Sequence, residues 1–428
     1  MVNFKFSGVA LLSLLPSVFS VSINHGLPVR PDPRDDVDPR LTKYALLSPD
    51  GKIKASWMPF GAALLDFFVE DKNGVERDLV MGFDNRTTYT VLRGQLGSVL
   101  GRYAGRIRNG TFSVPPTYNT TNSTTTTPDG RSVTVYNVPL NDASGRAALH
   151  GGPIGYDFRA WNLSSVSNNS IQFSLLDPDG FMGFPGTVQT NVTYSLLSGG
   201  KYSIEFHSEV LPDENDTRAE TPIMLSTHNY WNLEGWGDYN ASDPAATGSV
   251  AGNNGSHILQ LDANRIVAWD GIEVATGQFI NVNNTPFDFR RPTRIGEHVD
   301  EAVNACGTGC TGYDNCWLFD YQGSRLRHKG SLYSPKSGIK MDIATNQQAN
   351  QAYACEGIGF AKLPRKASQG GGAAHPDAIY GDQSCIALEQ ESWADGINQP
   401  EWPVDQIYGG KHNRKYYWQS VYTFSIVA

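Results

Sequence analysis

The chain has 428 residues, a formal net charge of −9 and only 18% charged residues, with no Lys/Arg run longer than a dipeptide; it lacks the cationic footprint that nucleic acid or an anionic membrane surface requires. Aromatic residues at 11%, with 44 glycines and 24 prolines, fit a loop-rich β protein better than a helical one. A neutral, polar partner suits this balance, and the length allows one large β domain.

Residues 1–20 have the layout of an export signal. Lys5 precedes an apolar run from Val9 to Phe19, and the small residues Val18 and Ser20 stand where a signal peptidase cuts. The run is too short to span a bilayer, and no later segment reaches about 18 unbroken apolar residues. The expectation is a secreted, extracellular protein with no membrane anchor. Residues 21–45, which include the Pro-, Asp- and Arg-rich stretch from Pro28 to Arg40, are expected to be extended and outside the core. Residues 46–428 are expected to form a single domain, since no linker divides them.

Strand signals dominate the rest. From Thr187 to Leu196, Val188, Val192, Tyr194 and Leu196 alternate with polar residues, a period of two with one apolar face. Ser198-Gly199-Gly200-Lys201 then turns the chain into Tyr202, Ile204 and Phe206, which reads as a hairpin. Ile339, Met341 and Ile343 repeat the pattern, as do Trp418, Tyr422, Phe424 and Ile426. Strands this frequent predict an all-β fold, a large antiparallel β-sandwich. The runs Pro115 to Asp129, Trp236 to Ser256 and Gly370 to Gly372 read as surface insertions.

Eleven NxS/T sequons, at Asn85, Asn109, Asn119, Asn122, Asn162, Asn168, Asn191, Asn215, Asn240, Asn254 and Asn283, exceed the few that chance supplies and predict N-linked glycans on an exported surface. Of five cysteines, Cys306, Cys310 and Cys316 are clustered, without the second ligand pair that a zinc site needs; a local disulfide is favoured there, and the odd number leaves at least one thiol unpaired unless it bridges to another chain.

Two runs carry chemistry. LSTHNYWNLEG, Leu225 to Gly235, presents His228 among residues that hydrogen-bond and stack. CIALEQESWADGINQPEWP, Cys385 to Pro403, presents Glu389 at the end of an apolar stretch. One imidazole and one carboxylate can exchange protons with a substrate hydroxyl or ether oxygen without a metal or nucleotide.

With these, the runs GRYAGRIRNGTF (Gly101 to Phe112), LHGGPIGYDFRAW (Leu149 to Trp161), TPFDFR (Thr285 to Arg290) and GYDNCWLF (Gly312 to Phe319) stand in an order that resembles the aldose 1-epimerases, or galactose mutarotases, over nearly all of the mature chain. The resemblance implies a galactose mutarotase-like β-supersandwich with a sugar cleft on a concave face, no metal and no cofactor. It implies that Glu389 is the general base and His228 the general acid, and that Arg106, His150 and Asp314 hold the substrate. The reaction interconverts the anomers of free hexoses such as galactose and glucose: the C1 hydroxyl loses a proton while the ring oxygen gains one, the ring opens, and reclosure on the other face gives the other anomer. His228 is expected to titrate near neutrality so that it can donate. Gly105, Asn315, Glu391 and Ala394 depart from the common pattern, which more often has Asn, His, Gln and Pro there. Glu391 matters most, because two carboxylates two residues apart share a face if the strand continues that far. Competing readings are a carbohydrate-binding protein without turnover, a hexose-6-phosphate 1-epimerase, and action on oligosaccharide reducing ends. Trp231, Trp393 and Trp402 are candidates for either cleft wall or core, and Asp288 with Arg290 for a structural turn and its ion pair.

Overall fold

The computed structural model describes residues 38–427 apart from 115–123, 127–129, 131, 143, 216, 238–241 and 243–248. The expected export signal, most of the extended segment and sequons Asn119, Asn122 and Asn240 lie outside the described residues. Among the described residues there is no α-helix; strands are joined by loops and short 3-10 turns. No described helix is long and apolar enough to cross a membrane.

Two large antiparallel sheets organise the molecule. A nine-stranded sheet carries the predicted hairpin at its centre: Val188–Leu197 pairs with Lys201–Val210 in register, Leu197 opposite Lys201, and Lys201–Val210 then pairs with the long strand Tyr416–Ile426 and through it with Ile339–Thr345. The period of two is visible in the burial: positions 188, 190, 192, 194 and 196 are buried, and the residues between them are half-exposed. Asn191 falls on the half-exposed face, as expected for a sequon.

The six-stranded sheet runs in the order Tyr230–Trp231, Ile386–Glu391, Ala349–Tyr353, Asp314–Phe319, Ala263–Trp269 and Ala275–Asn281. Its first four strands are buried on both faces, which gives them two jobs. Ile386, Leu388, Ala352, Trp317 and Phe319 face the nine-stranded sheet and share one core with Ile204, Phe206, Trp418 and Tyr422. Gln390 belongs to this side too: its amide donates to Asn350 Oδ1 at 2.8 Å, and Tyr422 donates its hydroxyl to Gln390 Oε1. Alternation then points Glu389, Gln351 and Asp314 to the opposite face.

Three sequence expectations change. The ordered fold begins before residue 46: Leu41 is buried in a 3-10 turn, and Tyr44–Leu47 is the first strand of a four-stranded sheet. The run from 236 to 256 is no simple surface insertion, because Trp236 at one end and Val250 and Ala251 at the other are fully buried. The region around Gly370 to Gly372 is also anchored: Gln369 donates to the carbonyls of Asp78 and Val80, and the buried ammonium of Lys366 pairs with Asp78 at 2.6 Å. Polar side chains hold the second segment, which is why composition alone read it as a loop. Trp231, Trp393 and Trp402 resolve as core residues, at most 7% exposed. Asp288 and Arg290 form the expected ion pair, at 2.6 Å. The cysteines form Cys306–Cys310 and Cys355–Cys385, with Cys316 free and buried.

Candidate active site

Cross-strand register assembles the site floor. Gln351 lies opposite Glu389 and Tyr353 opposite Asp314, and the Gln351 amide donates to Asp314 Oδ1. His228 sits in the two-residue link between Ser226–Thr227 and Tyr230–Trp231, and its backbone is fixed at both ends: its N–H donates to Ser98 O at 2.9 Å, and its carbonyl accepts from Gly97 N at 3.0 Å. Tyr230 stacks on its ring at 4.5 Å between centroids. Because Tyr230–Trp231 pairs with the start of Ile386–Glu391, the imidazole is delivered to the carboxylate: His228 Nε2 stands 3.3 Å from Glu389 Oε1.

The opposite wall comes from the first two motifs. Arg106–Arg108 pairs with Ala147–Leu149, so Arg106 and His150 arrive side by side. His150 has φ +49° and is followed by Gly151 at φ +84°, where a Cβ would meet Gly101 O at 2.2 Å; the LHGG turn closes only with glycine there. Gly105 N–H donates to His150 Nδ1 at 3.1 Å, which puts the ring proton of His150 on Nε2. Potential ligand atoms of His150, His228 and Glu389 lie within 4.8 Å of one another. With its Nδ1 lone pair engaged, His150 offers an N–H donor rather than a metal ligand, so the set suits hydroxyl recognition.

All five residues singled out in the sequence line one pocket of roughly 350 Å³. That volume is in the range of small-molecule sites. Sequence reasoning missed Trp269, Glu273, Gln351, Tyr353 and Glu356, which also line it, along with the Cys306–Cys310 disulfide. None stands in a recognisable run; only strand register and a turn closed by the disulfide bring them in. Thr308, inside that turn, donates to Gly271 O at 3.0 Å, and the adjoining turn positions Glu273 against Arg106. Arg106 also donates to Asp142 Oδ2 at 2.8 Å, so its guanidinium is held by two carboxylates.

Burial dominates the electrostatics. It pulls His228 down to about 3 and His150 well below the usual imidazole range, the latter helped by His228, Arg93 and Arg106. This corrects the expectation that His228 titrates near neutrality, and the reason is the closed position of the ring, 5% exposed. Glu389 is pushed up by burial and then by the neighbouring Glu391 and Asp314; Glu391, fully buried, is raised to about 8. The strand does run through Glu391, so the two carboxyls share a face as the spacing allowed. Glu389 Oε2, His228 Nδ1 and both oxygens of Glu391 are buried without a hydrogen-bond partner.

The same assembly has relatives. Residues 44–417 match the aldose 1-epimerase family model. The chain is 34% identical over 406 residues to a probable aldose 1-epimerase of Arthroderma benhamiae, covering 87% of this chain and 84% of that one. It is 28% identical to the galactose mutarotase of Bos taurus, over 85% and 89% of the two chains. Among solved structures, a GalM/aldose epimerase homologue from C. elegans superposes with a TM-score of 0.70 at 26% identity, covering 90% of this chain and 98% of that one. A galactose 1-epimerase from Lactobacillus acidophilus, 19% identical, shares the fold with a TM-score of 0.65 over 90% and 95%. With an imidazole and a carboxylate in contact on the floor of a polar pocket, and a match of this extent, the chain belongs to the aldose 1-epimerase family, enzymes that interconvert the anomers of aldoses.

Proposed function

We propose that this aldose 1-epimerase works through Glu389 as general base and His228 as general acid, with Arg106, His150 and Asp314 orienting a free hexose such as galactose or glucose. The observation that carries the assignment is the 3.3 Å contact between His228 Nε2 and Glu389 Oε1 in residues that both line the pocket. Glu389 takes the C1 hydroxyl proton, His228 supplies one to the ring oxygen, and reclosure reverses both transfers. Asp314 accepts from sugar hydroxyls, while His150 donates from Nε2. Rotation about C1–C2 needs no protein group.

The pocket charge speaks against a sugar phosphate. Arg106 is the one Lys or Arg among the lining residues, and both its carboxylate partners are already in place. A pure binding module has no use for an acid and a base in contact. We further propose that the protein is secreted and carries N-linked glycans: of the eight described sequon asparagines, all but Asn191 are exposed, as an oligosaccharide requires.

Polarimetry on freshly dissolved α-galactose and α-glucose tests the assignment, with wild type beside Glu389→Gln and His228→Asn. Wild type accelerates the approach to equilibrium rotation. Each variant loses about 10²- to 10⁴-fold in kcat, the usual contribution of a positioned acid or base. Retention of full kcat by either variant would remove that residue from the mechanism.

A further inference from the structure

Carboxyl groups outnumber cationic side chains along the pocket. Glu273, Asp314, Glu356 and Glu389 line it, against the single guanidinium of Arg106, which Asp142 and Glu273 already engage. Burial pulls both histidines below the usual imidazole range. The deficit is visible as unmet hydrogen-bonding capacity: Glu356 Oε2, Glu389 Oε2 and both carboxyl oxygens of Glu391 are buried with no partner, and Glu389 and Glu391 are only 2% and 0% exposed. Glu391 itself does not line the pocket; its Oε1 lies 3.7 Å from the position a Gly105 Cβ would take, beside Met224 and Ala394.

A neutral hexose brings hydroxyl donors but no charge. An ammonium group brings three donors and the missing charge together, and its bonds to carboxylates are about twice as strong as neutral ones. The aromatic rings of Tyr230, Tyr353 and Trp269 line the same space, and ring faces attract cations too. Glu356 is the carboxylate free to respond. Its Oε1 accepts from Tyr313 N–H at 3.0 Å, which fixes the side chain, while Oε2 is uncommitted. Burial raises it to about 8, so an arriving cation would favour its ionised form.

We propose that the pocket takes aldoses bearing an ammonium group, the amino-deoxyhexoses, in preference to neutral hexoses, with Glu356 as the carboxylate that meets the charge. This rests on the aldose 1-epimerase reading and names the substrate class of the same site. No new chemistry is needed, since ring opening and reclosure at C1 leave the amine untouched.

The test compares mutarotation of α-glucosamine, α-glucose and N-acetyl-α-glucosamine, followed by polarimetry or proton NMR at about pH 6, where an amine of this kind is charged. The full-length protein is used as wild type and as Glu356→Gln, which keeps the shape and the acceptor for Tyr313 N–H. The expected result is a kcat/KM for glucosamine about ten-fold or more above that for glucose and for the uncharged N-acetyl sugar, an advantage that shrinks at high salt. In Glu356→Gln the ratio of the glucosamine to the glucose kcat/KM falls about ten-fold. Glucosamine turned over no faster than glucose by wild type, or an advantage unchanged in Glu356→Gln, overturns the proposal. Should the variant fail to fold, the salt dependence and the N-acetyl comparison on wild type still decide. Acceleration of none of the three sugars would overturn the epimerase reading itself, and the proposal with it.

Discussion

Glu391→Gln should stabilise the protein, by an amount that grows with pH. Glu391 is fully buried, neither carboxyl oxygen has a hydrogen-bond partner, and its folded value is raised from 4.5 to about 8 by burial and by Asp314. Since the folded value lies above the unfolded one, the unfolded chain gives up this proton first. The destabilisation is therefore absent below about pH 4.5, builds as pH rises, and is complete once pH passes about 8. At about 1.36 kcal/mol per unit, that span sets an upper bound of about 5 kcal/mol. The glutamine amide is itself left without partners, at a cost of about 1–3 kcal/mol, so a net gain of about 2–4 kcal/mol is expected near pH 8 and about zero or a small loss near pH 5. Thermal unfolding by circular dichroism at the two pH values reads this directly. A melting-temperature gap between variant and wild type that fails to widen from pH 5 to pH 8 refutes the reasoning, because a packing effect alone would be independent of pH.

Three further outcomes are expected. Arg106→Lys should raise KM about ten-fold or more with a smaller change in kcat, because one ammonium cannot reproduce a guanidinium fork held by Asp142 and Glu273; initial-rate polarimetry separates the two constants. Mild reductant should open Cys306–Cys310 before Cys355–Cys385, since Cys310 is half-exposed while Cys355 and Cys385 are completely buried, and should raise KM while sparing kcat; alkylation followed by peptide mapping identifies which pair has opened. Ile204→Ala, in the core shared by the two large sheets, should cost about 2–5 kcal/mol in urea unfolding with the sugar site intact.

What could be read in the sequence was whatever depends on local order. The alternation from Val188 to Leu196 fixes a strand and its buried face without help from elsewhere, and the Gly199-Gly200 turn fixes its partner. His228 and Glu389 were legible because each sits in a compact run, and Arg106, His150 and Asp314 because those runs keep a recognisable order. Glu273 and Glu356 were not, because each reaches the pocket through another element: a turn buttressed by a disulfide loop in one case, the Tyr313 backbone in the other. The burial of Lys366 and Gln369 was equally hidden. Polar residues normally mark surface, and only their partners across the fold, Asp78 and the carbonyls of Asp78 and Val80, make the interior tolerable for them.

The position of the proposed acid/base pair bears on how the histidine's burial fits the proposed chemistry. In water an imidazole holds a proton about two units more tightly than a carboxylate, so moving a proton from His228 to Glu389 would run uphill. Burial lowers the first group and raises the second, which favours the neutral arrangement over the ion pair. That neutral arrangement, proton on Glu389 and none on His228, is the state of the pair once the sugar ring has opened. The pocket thereby offsets part of the cost of forming an open-chain aldehyde, and reclosure simply returns the proton along the same route. Both states carry one proton across the pair, so bulk water need neither add nor remove one during turnover.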